Sequence, residues 1–565
     1  MRAAPRSAFA APPARPARPL GPVRIGPGDT IEKAGGNRAI LSPIGTAAIR
    51  GHSVRRILHR SGAATVVVLV AAGLLAGNPP PAADGGAPAA AARGCILISI
   101  DTLRADHLGA YGYGLPTSPE IDGFRRDAVL FSAAIAQAPS TLASHASMLT
   151  SLLVPQHGAS FKLGTALAPE VTTLAEILRE HGIRTLSFNE GGQIAPQSGL
   201  GRGFNHYRST PIGPGSSSLA SEVARAAAWL RGHRGQPFFL FLHTYQVHHP
   251  YTPDPRHLAM VEAAAYRGPL PTGETPLAVL DAINQGYLAL ARADLRHIVA
   301  TYDAQIRAMD DGFGELIAFL KEQGLYDRTT IVFTSDHGEE FGEHGRVGWH
   351  SHTLYDELLR VPLLIKYPAG AHAGETVRRQ VRVVDVAPTV LAAMAVAPPA
   401  GLQGLDLTPL VRGRPEPARL AVSNLDGGGV AAIRTRRWKL VGNHLFDLAR
   451  DPGETRDVSS RYGEIAAYLG ERRQALLAAA PSHAGPRADL AGEDAASLRS
   501  LGYAAAGPAR PPLTATGASA VGSAAPAGRE APRPRHRPSA GRSSRSRPSP
   551  GSGSAGAATD SDSRR

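Results

Sequence analysis

Two acids and a histidine stand at the ends of apolar runs: Asp101 closes "CILISID", and Asp336 closes "TIVFTSDHG" with His337 directly after it. In an open parallel sheet, ligand-binding groups collect beyond the carboxyl ends of the strands. Asp101, Asp336 and His337 therefore form a mixed oxygen and nitrogen set suited to a divalent metal ion. Either acid alone would serve equally well as a helix cap or turn former. A histidine in the set leans toward zinc or manganese, whereas all-oxygen ligation would lean toward calcium or magnesium. Thr141, in "PSTLASHASMLTS", precedes a helix-like run, where hydroxyls and free backbone N–H groups face an anion. A threonine hydroxyl is a weak nucleophile, and a coordinated metal would lower its pKa. A threonine at that place is also an ordinary N-cap. Histidines are dense in "HTYQVHHPY" (243–251) and "FGEHGRVGWHSHTLYDE" (341–357), the latter holding His344, His350 and His352. Clustered behind two strand ends, they could protonate a leaving group or bind a second metal.

The elements that must position these residues are legible as alternating patterns. The stretches 95–100, 184–189, 237–244, 329–336 and 362–368 are short runs rich in β-branched and aromatic residues, the pattern of strands buried on both faces of a parallel sheet. Helix-like segments at 171–182, 218–233 and 299–324 lie between them. This alternation predicts a doubly wound α/β domain over 94–412. Close-set strands over 420–451 and a helix at 462–479 predict a small antiparallel α+β lobe over 413–480, followed by a connecting segment over 481–504.

The termini have a different composition. Residues 1–60 hold 11 Lys/Arg against 2 acids, and 505–565 hold 10 Arg against 3 acids. Of the formal net charge of +13, the tails therefore contribute +9 and +7, and residues 61–504 carry −3. The body is not basic, which argues against a nucleic-acid role outside the tails. Both tails read as disordered. The uncharged stretch 61–77, "SGAATVVVLVAAGLLAG", follows Arg55, Arg56 and Arg60 and precedes a Pro/Ala/Gly linker over 78–93. It reads as a signal anchor or signal peptide, with the remainder exported, either tethered to a membrane or released. The single cysteine, Cys95, permits no internal disulfide and reads as a small apolar residue in a strand.

The stretches "ILISIDTLRADHLGAYGY", "TLASHASMLTSLLVPQHG", "PFFLFLHTYQVHHPY", "TIVFTSDHGEEFGEHG", "HTLYDELLRVPLLIKYP" and "VVDVAPTVL" occur in an order that resembles the sulfatase family of the alkaline phosphatase superfamily. "LFDLARDPGETRDVSS" resembles that family's C-terminal lobe. The resemblance covers roughly 94–475. It implies that Asp101, Asp336, His337 and Thr141 hold the metal and that Thr141 is the nucleophile. It also implies that His248 and His350 contact the transferred group or the leaving oxygen. His145 takes the place of a substrate-binding arginine, and His344 is expected beside it in substrate binding.

Several positions depart from the family pattern. The modifiable cysteine is Thr141, the paired acids at the first strand are Asp101-Thr102, and a lysine-bearing segment has no counterpart near "FNEGGQI" (188–194). An aldehyde hydrate expels sulfate by collapsing through its second hydroxyl, an exit that a threonyl sulfate lacks. A threonyl phosphate is open to attack at phosphorus. The expectation is thus an exported, metal-dependent hydrolase or transferase acting on small-molecule, lipid or glycan esters, with phosphate favoured. An arylsulfatase-like hydrolase and a catalytically silent, glycan-binding protein are the alternatives.

Overall fold

A computed structural model describes residues 94–503, apart from 213–216, 263–265, 417 and 489–491. The readings for 1–60, 61–77, 78–93 and 505–565 lie outside the described residues. An eight-stranded sheet is built from β1 (Gly94–Ile100), β2 (Val129–Phe131), β3 (Arg184–Asn189), β4 (His206–Ser209), β5 (Phe238–Thr244), β6 (Thr329–Ser335), β7 (Leu363–Lys366) and β8 (Thr376–Val377). Their order is β8-β2-β7-β6-β1-β5-β3-β4. The sequence shows why β1 lies at its centre. Cys95 and Leu97 join one buried apolar cluster, and Ile96, Ile98 and Ile100 join the other. Residues alternate faces along a strand, so a run that is apolar throughout needs cover on both sides.

Helices supply that cover. One face packs α1 (Thr141–Thr150), α2 (Leu174–Glu180) and α5 (Val386–Ala393); the other packs α3 (Leu219–Gly232) and the long α4 (Arg292–Glu322). This is a doubly wound α/β architecture, as the alternation predicts. One strand differs from the parallel reading, since β7 runs antiparallel to both β6 and β2. The chain from Asp336 to Pro362 turns back at the carboxyl end of β6 without a covering helix. The next strand therefore re-enters from that same end.

The register places the strand ends level. Ser99 of β1 lies opposite His243 of β5 and Thr334 of β6. Asp101 and Asp336 consequently leave the sheet side by side. Beyond it, strands β9 (Ala421–Asn424), β10 (Ala431–Arg434), β11 (Trp438–Val441) and β12 (His444–Asp447) form an antiparallel sheet, covered by α6 (Gly463–Ala478). Its core includes Leu153 and Val384 from the larger domain. The stretch after α6 does more than connect. Ala166 N donates to the Pro486 carbonyl at 2.8 Å, Ala488 N donates to Gly164 at 2.9 Å, and α7 (Glu493–Ser500) packs against residues 192–194.

Candidate functional site

Asp101 follows β1 into a turn that places Thr102 at φ 56°, a region sparsely allowed for a β-branched residue. The turn is held from α4, where the Tyr302 hydroxyl donates to the Thr102 carbonyl at 2.9 Å and accepts from Arg104 N at 2.9 Å. Strain kept in place by such contacts is a common feature of functional sites. Thr141 enters from the opposite layer as the first residue of α1. Ser140 holds the N-cap position but makes no side-chain cap bond. The Thr141 hydroxyl is likewise not used as a cap: it donates to Asp101 Oδ2 at 3.1 Å and lies 3.4 Å from His337 Nε2. The adjacent Leu142 N–H donates to Gln193 Oε1 at 3.1 Å. The stretch "FNEGGQI" therefore lines the helix N-terminus with an amide.

Asp101, Thr141, Asp336 and His337 have no exposed surface. The His337 Nδ1 hydrogen is committed to the Gly338 carbonyl at 3.0 Å, so a neutral ring turns its Nε2 lone pair inward. It then faces Asp336 Oδ2 at 3.5 Å and Asp101 Oδ1 at 3.9 Å. Neither oxygen has a hydrogen-bond donor. Three lone-pair-bearing atoms buried around one point are mutually repulsive without a cation between them. These residues therefore fit a divalent ion, and Asp101, Asp336 and His337 would hold it, with the Thr141 oxygen in reach. Without an ion the electrostatics show the same conflict. Burial pushes Asp101 up to about 7, against the pull of His337 and the Thr141 hydroxyl. Burial and Asp101 raise Asp336. Burial opposes the charged form of His337, but Asp336 and Asp101 outweigh it and raise its pKa.

A second layer of histidines lies beside this cluster. His350 donates from Nδ1 to Glu339 Oε1 at 2.9 Å, and His248 donates from Nδ1 to the His249 carbonyl. Both therefore present Nε2 as an acceptor when neutral, and burial holds His350 down at about 4. His145 is differently placed from a substrate-binding group. It is fully buried within α1, with Nδ1 on the Thr141 carbonyl at 2.8 Å and Nε2 on the Ser99 hydroxyl at 2.9 Å. His344 is not brought to the cluster at all. Its nitrogens meet Glu357 and the Glu454 carbonyl, and its ring stacks on Tyr355 at 3.5 Å.

Three groups at the site are not among the individually assigned candidates. His243, at the end of β5, has neither ring nitrogen hydrogen-bonded and lies with Nε2 3.5 Å from Asp101 Oδ2. Its signal is its place at the head of the histidine-rich stretch 243–251, where an apolar strand ends. Glu339 collects His249, His350 and the Tyr251 hydroxyl. Burial opposes its charge, yet His350 and His249 hold it well below the usual carboxylate range. The third group, Tyr503, comes from far along the chain and carries no local signal.

The model of the family described as Sulfatase matches residues 94–396. The chain belongs to the sulfatase family. A second model, N-sulphoglucosamine sulphohydrolase, C-terminal, matches residues 342–478 of this sulfatase-family protein. Among its relatives is the multifunctional alkaline phosphatase superfamily protein PehA of Trinickia caryophylli, 34% identical over 310 residues. That match spans 46% of this chain and 59% of the relative. Arylsulfatase K of Bos taurus is 29% identical over 204 residues, spanning 33% of this chain and 37% of that protein. The alignments thus cover less than two thirds of either relative's own length. The crystal structure of the phosphonate monoester hydrolase of Agrobacterium radiobacter shares the fold, with TM-score 0.57 and 22% identity. That likeness covers 68% of this chain and 95% of the hydrolase.

Proposed function

We propose that this sulfatase-family protein is a metal-dependent hydrolase of phosphate or sulfate esters, with Thr141 as nucleophile and phosphate as the favoured group. The observation that carries the reading is the Thr141 hydroxyl at the start of α1, 3.1 Å from Asp101 Oδ2 and beside the donor-starved oxygens of Asp101 and Asp336. A divalent ion bound there would lower the pKa of the hydroxyl and offset the charge of the transferred group. In the first step Thr141 Oγ bonds to phosphorus, its proton passes to the Asp101 oxygen it already faces, and the bond from phosphorus to the leaving oxygen breaks. The leaving oxygen takes its proton from water, which the Nε2 lone pairs of His248 and His350 are placed to orient. Water then attacks phosphorus, releases phosphate and restores the threonine hydroxyl. An acceptor alcohol in place of water would make the same step a transfer.

The arylsulfatase relatives favour sulfate as the second reading, while the threonine at the nucleophile position favours phosphorus, because a threonyl sulfate lacks the exit open to an aldehyde hydrate. The substrate is a small-molecule, lipid or glycan ester. Hydrolysis of matched nitrophenyl phosphate, phosphodiester and sulfate across zinc, manganese, calcium and magnesium tests this. Turnover should be highest on a phosphorus ester and fall about a thousandfold or more in Thr141→Ala, the scale of losing a nucleophile. Sulfate turnover unaffected by Thr141→Ala would overturn it. Export is part of the proposal and rests on the apolar stretch 61–77 and its arginine flank. Among the described residues no helix is long and apolar enough to cross a membrane. Cell fractionation of the full chain tests this placement, and a purely cytosolic product would refute it.

A further inference from the structure

The Tyr503 hydroxyl lies 2.7 Å from His350 Nε2 and 3.0 Å from His248 Nε2, and next to the Thr141 hydroxyl. Glu339 and the His249 carbonyl can only accept, so they fix the protons of both histidines on Nδ1. Two lone pairs thus converge on one oxygen that carries a single hydrogen, between the nucleophile and the histidines assigned to the ester. An oxygen of the substrate needs that same place. Thr141 moreover has no exposed surface, and His248 and His350 are 2% and 3% exposed, so no ester reaches the nucleophile in this arrangement.

The tyrosine arrives on a short strap. Ser497 of α7 accepts from Ile212 N at 2.9 Å, and Leu501 is buried with Ile212 and Tyr245. Gly502, at φ 85°, then turns the chain inward; a Cβ there would come within 2.8 Å of Leu277. The Tyr503 ring meets Phe161 edge-on at 5.2 Å. These contacts are few and peripheral beside those of the central sheet, as befits a segment that opens locally.

We infer that residues 492–503 form an intramolecular plug, in which the Tyr503 phenol occupies the place of a substrate oxygen and must withdraw before an ester or oxyanion binds. The inference rests on the ester-binding reading of the site. A competing internal group weakens apparent affinity by the ratio of closed to open forms. Inorganic phosphate should therefore bind metal-loaded Tyr503→Ala about tenfold or more tightly than wild type in calorimetric titration. Tyr503→Phe, which keeps the ring without the hydroxyl, should fall between them. Equal or weaker binding in Tyr503→Ala would overturn the plug and make Tyr503 a ligand contact. If neither phosphate nor sulfate binds any of the three proteins, the ester reading fails. The plug is then judged by maleimide modification of Tyr503→Cys, the remaining thiol Cys95 being fully buried. Strong protection against modification supports a closed strap. Reaction as fast as that of a cysteine in an unstructured peptide refutes it.

Discussion

At the scale of single residues, the cost of the site is electrostatic. Asp101 Oδ1 and Asp336 Oδ2 are buried without donors, so the fold is incomplete in charge until a cation arrives. Metal binding then stabilises the folded state by mass action, by about 2.7 kcal/mol at a hundredfold excess over Kd. Chelation should accordingly lower Tm by a few degrees in wild type and by much less in Asp101→Ala, read by calorimetry before and after dialysis against a chelator. His157, away from this cluster, sets an acid limit. Its Nδ1 accepts from Ala159 N at 3.1 Å and its Nε2 meets the Ser147 hydroxyl at 3.2 Å, so the neutral ring is fully used. Burial lowers its pKa to about 3 from the 6.5 of an exposed ring. The unfolded chain thus binds this proton first, and the stability it confers is complete above pH 6.5 and lost as pH falls toward 3. Between pH 8 and pH 5, wild type should lose about 2 kcal/mol more than His157→Gln in urea unfolding.

At the scale of elements, positions are set by close approaches. Gly312 in the middle of α4 crosses the start of α3, where an added Cβ would lie 2.7 Å from Ala220 N. Alanine is intrinsically better than glycine in a helix by about 1 kcal/mol. The clash is with backbone, which cannot rotate aside, and overpacking costs about 1–3 kcal/mol. Gly312→Ala should therefore destabilise, by about 1 kcal/mol net, in equilibrium urea unfolding. A stabilised variant would mean that the two helices part without penalty. The Thr102 turn shows the same logic, since the α4 residue Tyr302 holds the strained backbone from which Asp101 projects.

For the whole molecule, the smaller lobe is fastened by charge as well as by its shared core. Lys439 of β11 is fully buried and meets Asp356 at 2.9 Å and Glu454 at 2.8 Å, while Arg434 meets Asp356 at 2.6 Å. Removing one member leaves buried carboxylates uncompensated, which costs about 3–5 kcal/mol. Lys439→Met should lower stability by that order and expose the 420–478 region to protease earlier than the sheet domain. Simultaneous, undiminished protection of both regions would refute this fastening.

The sequence by itself determined the α/β class, the late antiparallel lobe, and the placing of Asp101 and the Asp336-His337 pair at strand ends. Those features are local: period, apolar runs, and a polar residue where a run stops. Thr141 was readable as a hydroxyl at a helix start, though not which bond that hydroxyl would make. Only the tertiary structure decided that β7 runs antiparallel, because direction depends on the end from which the chain re-enters the sheet. Only pairing register brought His243 beside Asp101. His344 sat in the same histidine-rich loop as His350, yet the fold sent one to the smaller lobe and the other to the site. Tyr503 reaches His350 across 153 positions and His248 across 255, separations at which no sequence period carries information. Closing such distances is settled by packing of the whole chain, so Tyr503 is a group at the site that no stretch of sequence marked.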